Sequence, residues 1–192
     1  MTDREELLEK AVAEENRLAA EWVLDPMEHA IEYSWACAKL ATWRQHAGDD
    51  AAAIADCERA AQVVRDALNA GLAPAEGLDM LIVLQHQLAR TFLRSRDAES
   101  ALAVVDEALL LDAASPAMTV RRPGERRAFS LIARADIYKD LGRLQEALDD
   151  CIEAALTFSA REDHPETGRD PVLASAMARV AWLLERTGDA PS

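Results

Sequence analysis

The feature that most constrains this chain is a residue pattern that returns four times. Gly48, Arg96, Gly142 and Gly188 recur at intervals of 48, 46 and 46 residues. Seven residues before each stands an alanine: Ala41, Ala89, Ala135 and Ala181. Five residues after the first three stand Ala53, Ala101 and Ala147, and twelve after stand Ala60, Ala108 and Ala154. Small residues at fixed places on either side of a turn are what two antiparallel helices need, because axes about 8–10 Å apart interdigitate only where one side is small.

The local signals agree with a helix-only chain. Runs of β-branched and aromatic residues alternating with a period of two are absent, so strands are not expected. The apolar spacing and the Gly and Pro breaks predict about eight helices. They run over Asp3–Leu24, Met27–Ala47, Asp50–Ala70, Pro74–Arg96, Ala98–Ala113, Arg126–Leu141, Leu144–Ala160 and from Pro171 to Gly188. Thr2 with Glu5 forms a candidate capping box, and Asp25-Pro26 and Asp170-Pro171 each offer a cap followed by a first-turn proline. The longest irregular segments are Ser115–Glu125 and the polar loop Arg161–Asp170.

The stretch Ala133–Phe158 shows the unit most clearly, with Ala135, Tyr138, Gly142, Ala147 and Ala154 at the packing and turn positions. This pattern resembles the tetratricopeptide (TPR) repeat, over about Ser34 to Gly188. The period is longer than the TPR value of about 34 residues and falls near the roughly 40–47 of HEAT-type units, which stay an alternative; the alanine and glycine register favours TPR. Two positions depart from the pattern: Arg96 stands at a turn glycine and Arg44 at an aromatic place, so distortion is expected in the first two units. The fold class implied is all-α, an α-solenoid of stacked antiparallel helix pairs forming a TPR-like superhelix. It would be a single domain over 1–192, with capping helices at 1–25 and 170–188 and helix pairs at 27–70, 74–113 and 124–160.

The resemblance also implies that the first helix of each pair lines a concave groove for a peptide or protein segment. By register, the groove candidates are Trp35, Thr42, Gln45 and His46, then His86, Arg90, Leu93 and Arg94. Phe129, Ile132, Asp136 and Lys139 follow, then Trp182 and Glu185. Trp35, Phe129 and Trp182 read equally well as core. Some TPR domains grip a C-terminal carboxylate with Lys and Asn from adjacent units. The matching places here hold His86, Arg90, Ile132 and Asp136, which disfavours that mode, although Arg90 and Arg94 on one helix face suit a carboxylate.

Composition narrows the function classes. The formal charge of −14 argues against nucleic acid as the main partner. No apolar run approaches the roughly 18 residues of a membrane span, and the acidic start MTDREELLEK is unlike a signal peptide, so a cytoplasmic protein is expected. Against that acidity, Arg121, Arg122, Arg126 and Arg127 form a local basic cluster, read as a solvated loop or a dock for an acidic surface.

Cys37, Cys57 and Cys151 make no C-x-x-C, and Cys57 and Cys151 share a register facing the helix seam, as small buried hydrophobes. Asp163, His164 and Glu166 make a poor metal site, and H-E-x-x-H, glycine-rich phosphate and G-x-S-x-G motifs are absent. No metal, cofactor or catalytic residue is expected. The resulting expectation is a non-catalytic adaptor binding a protein or peptide in its groove. The alternatives are a small-molecule-sensing or regulatory repeat protein, or a module that self-assembles as a homodimer through its last helix or the arginine loop.

Overall fold

The computed structural model describes residues 3–20, 26–71, 74–114, 124–159 and 171–188. Eight α-helices and no strand are found among them: α1 (Asp3–Ala20), α2 (Pro26–Ala47), α3 (Asp50–Asn69), α4 (Pro74–Arg94), α5 (Ala98–Ala114), α6 (Glu125–Asp140), α7 (Leu144–Ser159) and α8 (Pro171–Gly188). The proposed caps Thr2, Asp25 and Asp170 lie outside the described residues, as do Arg121, Arg122, Asp163, His164 and Glu166.

The helices break where the repeat places its turns. Gly48, Arg96 and Gly142 have φ of 82°, 64° and 72°, in the left-handed region. At each, two hydrogen bonds close the end of the preceding helix. Gly48 N–H donates to the Gln45 carbonyl at 3.0 Å and Asp49 N–H to Arg44 at 2.9 Å; Arg96 to Leu93 at 3.1 Å and Asp97 to Phe92 at 2.9 Å; Gly142 to Lys139 at 3.0 Å and Arg143 to Tyr138 at 2.8 Å. This is the Schellman closure, in which a left-handed residue satisfies carbonyls that the helix leaves orphaned. The next helix starts at once: Asp49 and Asp97 accept from the Ala52 and Ser100 amides at 3.1 and 3.0 Å.

Two expectations are thereby corrected. Arg96 does not distort its turn, because an arginine adopts the glycine conformation with the same hydrogen bonds. Gly188, in contrast, is the last residue of α8 and has no positive φ, so it is not a fourth turn of this kind.

Contacts divide the chain into two compact units. The first contains α1 to α4 and the start of α5 through Val104; the second holds α5 from Val105 onward with α6 to α8. In the first unit α2 packs on α1, α3 and α4, and α3 packs on α4. Its core gathers Ala41, Ala53, Cys57 and Leu88, flanked by Ile54, Phe92 and Val104. In the second unit α7 packs on both α6 and α8, around Ala135, Ala147, Leu148, Cys151 and Leu183.

Nine of the ten register alanines are at most 2% exposed, as close helix approach requires. Ala181 is the exception and lies exposed on α8. Ala41 and Ala135, its counterparts on α2 and α6, lie in the cores shared with α3 and α7, and no described helix follows α8. The same strip of α7 and α8 exposes Ile152, Leu156, Met177 and Leu184.

Candidate functional site

Buried ion pairs brace each unit and explain Arg44. Asp56 of α3 is fully buried and accepts from Arg44 at 3.1 Å and from Arg59 at 2.9 Å. Arg44 also donates to the Ala52 carbonyl at 3.3 Å, so it fills the place of an aromatic residue by spanning to the next helix. Desolvation raises the pKa of Asp56 above the usual carboxylate value, against the opposing pull of Arg44 and Arg59. In the second unit Asp150, at the same distance beyond its turn as Asp56, takes both of its bonds from Arg134 at 2.8 Å. Arg134 also reaches Asp106 at 2.8 Å.

With the helices fixed in this way, each unit presents a cleft between first helices of its pairs. In the first unit, Thr42, Gln45 and His46 of α2 face Gln87, Arg90, Leu93 and Arg94 of α4 across a cleft of about 480 Å³. Its floor is hydrogen-bonded from wall to wall. Gln87 Nε2 donates to Thr42 Oγ1 at 3.1 Å, Gln45 Nε2 donates to Thr91 Oγ1, and Arg94 Nη2 donates to the Gln45 carbonyl at 2.8 Å. Arg94 also lies 3.4 Å from Asp50. Arg90 is exposed and has no ion-pair partner among the described residues. His46 is exposed beside Trp43, edge-on at 6.1 Å.

In the second unit, a cleft of about 570 Å³ is lined by Ala135, Asp136 and Lys139 of α6, Cys151 of α7, and Ser175, Ala178, Arg179, Trp182 and Leu183 of α8. Arg179 bridges it to Asp136, with Nη2 at 3.1 Å and Nε at 3.4 Å. Lys139 also reaches Asp136, at 3.2 Å. Trp182 is 40% exposed and carries the Arg186 guanidinium over its ring at 4.6 Å.

The two clefts are cross-tied in one register. Thr42 and Asp136 stand six residues before the 48 and 142 positions, while Gln87 and Arg179 stand nine before 96 and 188. Gln87 and Arg179 were not among the sequence candidates. The signal for both was a long polar residue at the same offset in α4 and α8, where α6 has Ala133.

Of the sequence candidates, Gln45, His46, Arg90 and Arg94 meet in the first cleft, and Asp136, Lys139 and Trp182 in the second. His86 is half-buried on α4 and does not line its cleft. Phe129 packs edge-on against Phe158 at 6.1 Å, within the α6/α7 pair. Trp35 is 49% exposed but lies in another cleft, between α1 and α2. The two described arginines of the basic cluster are not a solvated loop: Arg126 is buried against Asp112 at 3.0 Å, and Arg127 pairs with Glu153 at 2.5 Å.

The thiols are held as packing groups. Burial pushes Cys57 up to about 12 and Cys37 and Cys151 up to about 11. Among the described residues, no group of three His, Cys, Asp or Glu side chains is placed to hold a metal ion, and no helix is long and apolar enough to cross a membrane.

No family model and no curated protein matches the chain. Solved structures do. BtubC (BKLC) from P. vanneervenii superposes with a TM-score of 0.80 at 19% identity, over 98% of this chain and 68% of that one. The apo form of RapI gives 0.72 at 16% identity, over 97% of this chain and 45% of RapI. A Podosopora anserina protein described as a kinesin light chain with nearly identical TPR-like repeats gives 0.67 at 16% identity, over 96% and 79%. The chain therefore has the TPR-like helical-repeat fold, an all-α solenoid of antiparallel helix pairs.

Proposed function

We propose that this chain is a non-catalytic protein-interaction module that receives a segment of a partner protein in the clefts between its first helices. The α2/α4 cleft is its principal contact. The observation that carries this reading is the state of Arg90, an exposed guanidinium with no ion-pair partner among the described residues, standing over a cross-helix hydrogen-bonded floor. Such a floor is already ordered before a partner arrives, which lowers the cost of association. Exposed Arg and Trp side chains are the residue types that most often dominate binding energy. In a chain with a formal charge of −14, the α2/α4 cleft gathers two arginines and a histidine, which suits a partner segment carrying carboxylates.

A cytoplasmic location accompanies this reading, and the three free buried cysteines accord with a reducing compartment. Homodimerisation through α8 is a companion proposal, motivated by the exposed Met177 and Leu184. A strictly monomeric mass by light scattering at high concentration overturns it. The α6/α8 cleft, at about 570 Å³, also falls in the size range of small-ligand sites. A thermal shift with metabolites and none with peptides would favour that second reading.

The test is selection of a displayed random peptide library on the wild-type protein and on the Arg90→Ala and Trp182→Ala variants. Peptides enriched by the wild type should lose binding to Arg90→Ala while its melting temperature is unchanged. Equal binding to all three proteins refutes the cleft assignment.

A further inference from the structure

The polar cluster under α1 lies outside both clefts and has no part in the binding reading. Glu15 is the only buried side chain among those described on α1; the others are partly or fully exposed. Its carboxylate is held by the guanidinium of Arg59 on α3, and by the Tyr33 hydroxyl of α2, which donates at 3.2 Å. Around it sit Cys37, fully buried one turn beyond Tyr33 on α2, and Asp56, whose Oδ1 takes bonds from Arg44 and Arg59 while its buried Oδ2 has no partner. On its other side α1 stands off α2 across a cleft of about 530 Å³, with Lys10 and Glu14 facing Trp35 and Lys39. The described part of α1 is thus secured at a carboxylate and only lightly by apolar burial.

We propose that α1 is a detachable lid, latched by Glu15 on Arg59 and Tyr33, whose release uncovers Cys37 while the rest of its unit stays folded. A buried carboxylate is a conditional latch. Its desolvation is offset only while both partners are in place, so losing one partner removes most of the holding energy. Elements with little apolar contact open below the free energy of global unfolding. Cys57 gives the contrast within the same unit. It lies in the seam of α2, α3 and α4 with Ala41, Ala53 and Leu88, a cluster to which α1 contributes no residue among those described. Release of α1 therefore exposes one thiol and leaves the other covered.

The test is maleimide labelling of the full chain, read cysteine by cysteine from peptide masses. In Glu15→Gln, Cys37 should label roughly tenfold faster than in the wild type or more, with Cys57 and Cys151 unchanged. An unchanged Cys37 rate overturns the latch. Parallel acceleration of Cys57 overturns it too, since α1 would then open only with the whole unit. Hydrogen exchange of the unmodified protein gives a test independent of any variant: the α1 amides should exchange ahead of those of α2 and α3, and equal protection overturns the lid.

Discussion

Replacing Arg96 by glycine should stabilise this protein. Arg96 has φ of 64°, the conformation that Gly48 and Gly142 take at the matching turns. Its side chain is exposed and makes no hydrogen bond or ion pair among the described residues, so removing it forfeits little. Holding an L-residue in the left-handed region costs roughly 1–2 kcal/mol. Glycine surrenders more chain freedom on folding, which returns roughly 0.5–1 kcal/mol to the unfolded state. The difference favours Arg96→Gly by about 0.75 kcal/mol at the centre of a range of about 0–1.5 kcal/mol. For a chain of this length that is about 1–4 °C in melting temperature. The two Schellman hydrogen bonds come from backbone groups and survive the change. Thermal unfolding followed by far-ultraviolet circular dichroism measures the effect. An unchanged or lowered melting temperature would refute the claim that this turn is strained by its side chain.

Two other glycines separate backbone strain from steric clash. A Cβ at Gly142 meets nothing within 4 Å, whereas one at Gly124, with φ of 76°, comes within 2.7 Å of the Thr157 methyl. Gly142→Ala should cost about 1 kcal/mol and Gly124→Ala about 1–3 kcal/mol more, by urea denaturation; equal losses contradict this. Gln85 is 1% exposed with both amide atoms unpaired, and it stands eleven residues before its turn, where Leu131 stands before Gly142. Gln85→Leu should gain about 1–3 kcal/mol, and a fall in the unfolding midpoint would contradict the reading. Arg134→Met strands Asp150, which is 5% exposed. The loss should be about 2 kcal/mol, below the full cost of breaking a buried pair because the Arg134 side chain is 24% exposed. Adding Asp150→Leu should recover much of it, and additive losses would argue against the pair.

The helix ends and the seam alanines were legible in the sequence because both depend on short-range rules. A left-handed turn asks for glycine, and a close helix approach asks for a small side chain. Residues defined by what lies across from them were not legible. Arg44 looked like a defect at an aromatic position, and only its distance to Asp56 shows it as one side of a buried pair. Phe129 and Trp182 had the same standing by register, yet Phe129 meets Phe158 inside a helix pair while Trp182 opens onto a cleft. Ala181 matched three buried alanines and is exposed, because its burial depends on a helix that does not follow it among the described residues. Within each unit only some of the candidates meet in a cleft, which a register alone does not convey.

The strip formed by Ile152, Ala155, Leu156, Met177, Val180, Ala181 and Leu184 contains no charged or polar side chain. It belongs to a polyanion, so at low ionic strength like-charge repulsion opposes association through it. Salt removes that protection: the screening length falls from about 10 Å at 0.1 M to about 3 Å at 1 M. Dilute buffers should keep concentrated stocks clear, and sulfate should bring them out of solution through this greasy seam.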